Sequence, residues 1–437
     1  MNENEDLTRS LGRELHGRVD GIHDAPIGLD QVKGAAGRIR RRRALTSGAA
    51  ALAAVAIIVP AGLWGADMLP RGDESPPPAT STPSNVNPTD PPSSPETPEP
   101  PEFADEPIVI NSDAPQGDDP RIAWVDAGVL HLPDGSTKIL PKDYETLVRA
   151  GEEYVGIHGQ SGGDDIRMDV LDADLNMVDS YDGYSAPVAT ADQTVAAWTD
   201  PAGTVWLRAN SETREFAPIG RPASLRAIFG PDCASGGSQC RVYYDGNSDD
   251  LTPGAEGGAG AVGPQGPEQL PDGFINSGGI SADGILVGLT SGSDHDPDVP
   301  TTSTLYDVVA GERIADLSDV RFAYAVWRPF SPDGRLVAGE RLDPNLGSTP
   351  TGLQVFDVSS GQERVTIELG DDMPEGTTLQ SGWWEDETHL LVMTVSPSDD
   401  GPGLYDLYRV GLDGTVERVG EAGYDNGTMN VPWRFVG

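Results

Sequence analysis

The chain has 437 residues, of which 70 are acidic and 29 are basic, so its formal net charge at pH 7 is −41. Residues 1–43 hold nine basic and seven acidic residues, which leaves 20 basic and 63 acidic residues in the rest of the chain. A surface this acidic repels nucleic acid and anionic lipid headgroups, which excludes both as partners of that larger part.

Residues 1–37 predict one amphipathic helix. Apolar residues spaced four and three apart form a single stripe, consisting of Leu7, Leu11, Leu15, Val19 and Ile22. Gly12 and Gly17 each weaken such a helix by about 1 kcal/mol relative to alanine. The segment is either a docking helix for a cytoplasmic partner or a marginal helix that lies near the membrane.

An apolar segment at residues 44–66 predicts a transmembrane helix. Five of the six residues from Arg38 to Arg43 are arginine, and the 23 residues that follow carry no charge. A helix of this length extends about 34 Å, which is enough to cross the hydrocarbon core of a bilayer. The positive-inside rule places residues 1–43 in the cytoplasm and the C-terminal domain outside the cytoplasmic membrane. The alternatives are a cleaved secretory signal and a buried helix of a soluble domain.

Residues 67–107 predict a disordered, proline-rich linker. Runs of two or three prolines occur at 76–78, 91–92 and 100–101, with serine, threonine and acidic residues between them. Such a sequence is extended and stiff, and it cannot build a core. At about 3 Å per residue, it can hold the following domain up to ~100 Å from the membrane.

Residues 108–437 predict an all-β domain built from repeats. Short apolar runs alternate with Asp-Gly pairs, which are strong hairpin signals because both residues tolerate the positive φ of tight turns. A unit of strand, acidic turn and strand recurs, most clearly at 280–288, 330–339 and 384–392. A second hairpin with a glycine turn follows it at 305–312 and 355–362. Each unit therefore contains four strands.

The spacing of the acidic turns predicts the number of units. The turns are marked by Asp119, Glu152, Asp192, Asp232, Asp283, Asp333 and Asp386, which stand 33 to 53 residues apart. Four strands per unit and a period of about 40–50 residues are typical of a β-propeller. Seven markers predict seven blades, with six or eight as the neighbouring counts.

The two ends of this domain are expected to close the ring. A short apolar run at 431–436 follows the last complete unit. Because blades must stack radially into a ring, we expect this run to pair with strands from residues 121–140 in one composite blade. Residues 108–110 are the competing choice for that strand.

The repeat resembles that of a known group of propellers. The run Phe330–Gly334, with the sequence FSPDG, is followed by an apolar strand, by VFDV at Val355–Val358 and by Gly361. This pattern resembles the repeat of TolB-type and WD-like bacterial propellers, most clearly over residues 270–420, and it implies an interaction platform. The order of cytoplasmic piece, arginines, anchor, stalk and propeller resembles single-pass proteins of high-GC Gram-positive bacteria.

Cys233 and Cys240 are the only cysteines, and they predict a disulfide. An even number of cysteines in an exported domain favours a bridge. Two thiols alone lack the other ligands of a tetrahedral metal site. A bridge across so short a loop contributes about 2 kcal/mol to stability.

An acidic run resembles a calcium loop. Carboxylate and amide side chains suited to a hard cation stand at its positions 1, 3, 5 and 12, which are Asp245, Asn247, Asp249 and Glu256. The glycine required at position six is missing, because Asp250 stands there. An acidic connection between strands is the main interpretation, and calcium is the alternative. The same two interpretations apply to residues 294–298, and residues 257–267 are interpreted as a flexible, glycine-rich insertion.

The leading functional hypothesis is a membrane-anchored propeller that binds an unknown protein or ligand of the cell envelope. The sequence singles out no catalytic residue and no cofactor. Two other functions stay open. One is a transmembrane sensor that signals through the helix at 7–22, and the other is an envelope hydrolase with two facing carboxylates in the central channel.

Overall fold

A computed structural model describes residues 102–159, 166–246, 259–271, 273–291, 301–322, 328–342, 350–398, 401–423 and 433–436. The predicted N-terminal helix, the transmembrane segment and nearly all of the linker lie outside these ranges. The described residues form seven sheets, six with four strands and one with five. The domain is therefore a seven-bladed β-propeller, as the acidic turns predicted.

Blades 1 to 4 each contain four antiparallel strands. Ordered from the inside of the ring outwards, blade 1 has β29 (Arg434–Phe435), β2 (Trp124–Asp126), β3 (Val129–His131) and β4 (Thr137–Ile139). Blade 2 has β5 (Thr146–Ala150), β6 (Glu153–His158), β7 (Arg167–Leu171) and β8 (Met177–Asp182). Blade 3 has β9 (Val188–Ala189), β10 (Val195–Thr199), β11 (Thr204–Ala209) and β12 (Glu212–Pro218). Blade 4 has β13 (Ala223–Phe229), β14 (Arg241–Gly246), β15 (Gly260–Gly263) and β16 (Gly266–Glu268).

Blades 5 to 7 follow the same plan, with one strand added to blade 6. Blade 5 has β17 (Gly279–Ile280), β18 (Ile285–Ser291), β19 (Thr302–Asp307) and β20 (Glu312–Ser318). Blade 6 has β21 (Val320–Arg321), β22 (Leu336–Leu342), β23 (Pro350–Asp357), β24 (Glu363–Leu369) and, at its outer edge, β1 (Ile108–Ile110). Blade 7 has β25 (Thr378–Trp384), β26 (His389–Ser398), β27 (Gly401–Gly411) and β28 (Val416–Gly423).

The ring closes through blade 1, as predicted. Strand β29 pairs antiparallel with β2, with Trp124 opposite Phe435. The side chain of Arg434 fastens this strand to the connection that leads into blade 2, because it binds Asp143 at 3.0 Å and donates to the carbonyl of Tyr144. The competing strand at 108–110 has a different place, since β1 pairs in parallel with β24.

The segment at 103–121, here called the strap, runs along the outside of blades 6 and 7 before it enters blade 1. The amide of Ala104 donates to the carbonyl of Leu412 at 2.8 Å, and Ser112 donates to Asp372 at 2.7 Å. The amide of Arg121 donates to Glu385 at 2.5 Å. Packing of the domain thus begins a few residues before the predicted boundary at 108.

The core is divided among the blade interfaces. Seven apolar clusters are described, and each joins one pair of neighbouring blades around the ring. The inner strands of consecutive blades also touch, as β5 touches β9 and β9 touches β13. Each blade therefore buries its faces only against its neighbours, which is why the ring must close.

Two sequence interpretations need correction. Residues 257–267 were interpreted as a flexible insertion, but β15 and the start of β16 form the outer hairpin of blade 4 there. The glycine content has a packing cause, because a Cβ on Gly260 would lie 2.5 Å from the hydroxyl of Tyr244. Asp119 is no hairpin marker, since the inner strand of blade 1 comes from the other end of the chain and Asp119 belongs to the strap.

Candidate functional site

The acidic markers lie on one side of the ring, here called the turn face. Strands of an antiparallel blade alternate in direction, so the first and third hairpin turns of every blade reach the same side. Except for Asp119, each predicted marker occupies the first turn of a blade. The aspartates Asp134, Asp172, Asp307, Asp357 and Asp413 occupy third turns. The turn face therefore carries a ring of carboxylates.

Most of these carboxylates hold their own turns. In blade 3, Asp192 accepts hydrogen bonds from the Thr190 hydroxyl at 2.6 Å and from the Thr194 amide at 3.1 Å. In blade 6, Asp333 accepts the same two kinds of bond from Ser331 and Arg335. Burial raises the pKa of Asp192, but the hydrogen bonds from Thr190 and Thr194 outweigh burial and bring the pKa below its ordinary value. Both side chains stabilise the turns that contain them.

A cavity of about 1100 Å³ opens at the turn face. It extends from the first turn of blade 3, at Thr190 and Ala191, to Glu268 at the outer edge of blade 4. Between these ends it is lined by apolar and aromatic side chains of blades 4 and 5, including Ile228, Phe229, Tyr243, Tyr306, Val308 and Val309. Polar side chains such as Gln239, Arg241 and Ser281 line it in similar measure. Concave surfaces that combine apolar walls with polar groups are typical ligand sites.

Short outer strands in blade 4 leave room for this cavity. Strand β15 has four residues and β16 has three, whereas the outer strand of blade 5 has seven. Arg241 at the start of β14 and Glu268 at the end of β16 form an ion pair at 2.6 Å, and both residues line the cavity. Val309 stands in the third turn of blade 5 and is 72% exposed. A large exposed apolar side chain beside a cavity is typical of a binding surface.

The predicted disulfide forms one wall of the cavity. Cys233 and Cys240 are bonded, with their Cα atoms 4.7 Å apart, and both are buried. Arg214 of blade 3 donates to the carbonyls of Cys233 at 2.8 Å and Ala234 at 2.6 Å. The loop that the bridge closes contributes Ala234, Ser238 and Gln239 to the cavity lining. The two cysteines were predictable from the sequence, but their place beside a cavity was not.

The calcium candidate is only partly described. Asp245 is buried and binds Arg226 at 2.6 Å, and it also accepts a hydrogen bond from the Ser277 amide at 3.1 Å. Burial raises the pKa of Asp245, and Arg226 opposes this. Asn247, Asp249 and Glu256, like residues 294–298, lie outside the described residues. Among the residues that are described, no three His, Cys, Asp or Glu side chains come together as a metal site.

The buried carboxylates of the described residues are all engaged with cations. Their pairs are Asp169 with Lys142, Asp245 with Arg226, Glu340 with Arg321, Glu385 with Arg409 and Asp406 with Arg418. Burial raises the pKa of Asp169, but hydrogen bonds from Lys142, Ser180 and Tyr144 outweigh it and bring the pKa below its ordinary value. These pairs account for the buried acids as structural groups.

The sequence contains one motif typical of hydrolases that the sequence analysis did not recognise. Residues 159–163 read Gly-Gln-Ser-Gly-Gly, which matches the Gly-x-Ser-x-Gly pattern. In hydrolases that pattern joins a strand to a helix. Here it stands between β6 and β7, which pair as antiparallel neighbours in blade 2. Residues 160–163 themselves lie outside the described residues. The two elements that flank them are both strands, whereas a nucleophile elbow joins a strand to a helix.

The chain resembles solved structures at low sequence identity. No protein family and no curated protein matches the chain by sequence. The chain resembles the computationally designed Ika8 protein at 14% identity and a TM-score of 0.40, over 70% of this chain and 81% of that one. It also resembles hydrazine synthase of Kuenenia stuttgartiensis at 10% identity and a TM-score of 0.40, over 62% and 77% of the two chains. The TolB-type and WD-like label therefore stays a prediction.

From Glu102 onwards, in the part of the chain that the structure describes, no helix is both long and apolar enough to span a membrane. The predicted span at 44–66 lies outside that part.

Proposed function

We propose that the protein is a single-pass membrane protein that displays its propeller outside the cytoplasmic membrane as a binding module. In this proposal residues 44–66 form the anchor, residues 67–107 contain the stalk, and the partner is a protein or ligand of the cell envelope. The cavity of about 1100 Å³ between blades 3, 4 and 5 is the observation that carries the binding role. Propeller rings commonly serve as platforms on which partners dock.

The chemistry of the cavity supports a partner that inserts apolar side chains. Phe229, Tyr306 and Val309 give it an apolar wall, and Arg241 with Glu268 gives it a polar rim. An apolar centre with a polar rim is the usual composition of a protein interface. The disulfide loop stiffens one side, which reduces the ordering cost of binding.

Capture from native cell envelope tests the binding role. The full-length protein, purified in detergent micelles, is compared with the variants Val309→Asp and Val109→Asp. Both valines are exposed, 72% and 41%, but only Val309 lines the cavity. We expect Val309→Asp to lose the captured partner and Val109→Asp to keep it. Equal capture by both variants would contradict the assignment of the cavity.

Protease treatment of intact cells tests the proposed topology. A protease added outside should cut the stalk at 67–107 and release a fragment that contains the propeller. A tag placed before residue 1 should stay protected until the cells are opened. Cleavage of that tag in intact cells would contradict the N-in orientation.

A further inference from the structure

Arg328 occupies an unusual place at the turn face. It stands beside the inner strand of blade 7, where it forms a parallel bridge with Trp383. The next residue is also held, since the indole of Trp384 donates to the Pro329 carbonyl at 2.8 Å. From this position Nη2 of Arg328 points to the carbonyl oxygen of Ala191, 3.4 Å away. Ala191 belongs to blade 3, so the side chain links two blades that are not neighbours and lies across the axis of the ring.

The guanidinium of Arg328 has no acidic partner among the described residues. Most described arginines form an ion pair with a carboxylate, as Arg208, Arg226 and Arg409 do. Within the described residues, the guanidinium of Arg328 makes only the long hydrogen bond to the carbonyl of Ala191. The carboxylate of Asp192, next in the chain, is held by Thr190 and Thr194. A cation that is partly desolvated and has no carboxylate beside it is unfavourable, and such a group attracts anions.

Burial supports this view of Arg328. Loss of water lowers the pKa of the Arg328 guanidinium, and no neighbouring charge opposes that effect. The group is partly exposed and Ala191 is exposed, so a ligand can approach from the turn face.

The cavity and Arg328 meet at the first turn of blade 3. Ala191 lines the inner end of the cavity and also accepts the Arg328 hydrogen bond. A ligand that fills the cavity and continues past Ala191 therefore arrives at an unneutralised cation. The cavity is open to the turn face and extends over three blades, from Thr190 to Glu268, which suits an extended polypeptide.

We propose that the cavity accepts the C-terminus of a polypeptide, with apolar side chains against blades 4 and 5 and the terminal carboxylate on Arg328. This inference rests on the proposed binding function and specifies its ligand. A guanidinium forms strong paired hydrogen bonds with a carboxylate. A single terminal carboxylate also suits a domain whose own acidic surface repels ligands with many negative charges.

The test uses a library of N-acetylated pentapeptides with randomised last three residues, made as free acids and as C-terminal amides. Full-length protein in detergent micelles is incubated with both forms, and retained peptides are quantified by mass spectrometry. We expect retention of free acids to exceed that of amides by about tenfold, as for one charge-assisted hydrogen-bonded contact. In Arg328→Gln this preference should disappear. In the matched control Arg335→Gln, an exposed arginine of the same blade, it should persist.

Four results would overturn the inference. The first is equal retention of acids and amides by the unmodified protein. The second is an unchanged preference in Arg328→Gln. The third is displacement of all free-acid peptides by sodium acetate at equal concentration, which would assign the site to small organic acids.

The fourth result concerns the peptide-free protein. Arg328→Gln should not lower its melting temperature, because the guanidinium has no ion pair to lose among the described residues and its unpaired charge is unfavourable. A large drop would make Arg328 a structural bridge and contradict the proposal.

Failure of this inference can be told from failure of the binding function. If acids and amides are retained equally and Val309→Asp loses both, the cavity binds peptides without reading the carboxylate. If envelope capture survives in Val309→Asp, the cavity is not the binding site at all.

Discussion

The interface between blades 6 and 7 and the interface between blades 4 and 5 are built very differently. The first has fifteen buried apolar residues in one cluster and is covered by β1 of the strap. The second has five, and the cavity opens beside it. Strands β26 and β27 have ten and eleven residues, whereas β15 and β16 have four and three.

This contrast separates the packing that holds the N-terminal end of the domain from the surface that we propose binds a partner. Blades 6 and 7 with the strap, here called the sealed side, share a large apolar cluster and hold the N-terminal end of the domain. Blades 4 and 5, here called the open side, leave apolar surface uncovered at the turn face. Burial of apolar area is the main source of stability, so the sealed side should contribute more to stability than the interface between blades 4 and 5. The open side should tolerate change and control ligand capture.

The largest effect is expected from Glu385→Ala on the sealed side. The change removes from the buried Arg409 the carboxylate that now lies 2.5 Å from it, and leaves it only the partly exposed Glu417 at 2.9 Å. Loss of one partner from a buried ion pair costs about 3–5 kcal/mol, and because Glu417 remains we expect the lower end of that range. Urea unfolding of the full-length protein measures the change in the free energy of unfolding.

The matched control is Glu421→Ala, which removes an exposed partner of Arg418 in the same blade. Exposed pairs contribute less than about 1 kcal/mol. Equal effects of the two substitutions would contradict the view that the sealed side depends on its buried pair.

A smaller effect is expected when the disulfide is removed from the open side. The double variant Cys233→Ser, Cys240→Ser releases a short loop and should lower the free energy of unfolding by about 2 kcal/mol. Because this loop lines the cavity, envelope capture should weaken in the same variant. A reducing agent should reproduce both effects in the unmodified protein and change nothing in the variant. Lost stability with full capture would separate the loop from binding.

Acid should lower the free energy of unfolding and leave binding at the cavity unchanged. Burial lowers the pKa of His131 and of His158, and nearby aspartates oppose this only in part. The unfolded chain therefore takes up protons near pH 6.5 that the folded chain refuses, so stability is full above that pH and falls as pH drops through it. The loss should stay below about 1.4 kcal/mol for each unit by which a pKa is lowered.

Unfolding at pH 7.5 and at pH 5.5 measures this loss. His131→Phe keeps an aromatic ring against Trp124, on which His131 stacks at 3.8 Å, and removes one titrating group. Its pH dependence should be flatter than that of the unmodified protein. No histidine is among the described residues that line the cavity, so envelope capture should be the same at both pH values. Capture that is lost at pH 5.5 would contradict this separation.

The smallest effect on stability is expected from Val309→Asp. The side chain is 72% exposed, so the free energy of unfolding should change by no more than about 0.5 kcal/mol. Val109→Asp on the strap provides the comparison. A large loss of stability in Val309→Asp would mean that the open side is part of the folded core.

Sequence reasoning predicted the parts of the fold that local chemistry determines. The Ser-x-Asp turn at Ser331 and Asp333 is held by its own hydrogen bonds. Because such turns form locally, their spacing along the chain predicts the number of blades. The composite blade followed from the need to close a ring. The outer hairpin of blade 4 was missed because Gly260 makes room for Tyr244, a contact between strands that no local signal reveals.

The candidate site was harder to predict for the same reason. The two cysteines predicted a disulfide. The cavity could not be predicted in the same way, because it lies where the short outer strands of blade 4 stand beside the longer ones of blade 5. No sequence pattern distinguishes Arg328. Its proposed role depends on the hydrogen bond to the carbonyl of Ala191 on the other side of the ring. Residues 103–107 of the strap were assigned to the linker because contacts such as the hydrogen bond from Ala104 to Leu412 join residues far apart in the chain.

The most direct test of the account is photo-crosslinking in the native membrane. A photoreactive phenylalanine analogue is placed at position 309 in one full-length variant and at position 109 in another, and the cells are irradiated. If the partner binds on the open side, we expect a defined adduct from position 309 and none from position 109. No adduct from 309, or the same adduct from both positions, would contradict the claim that this propeller binds its partner on the open side.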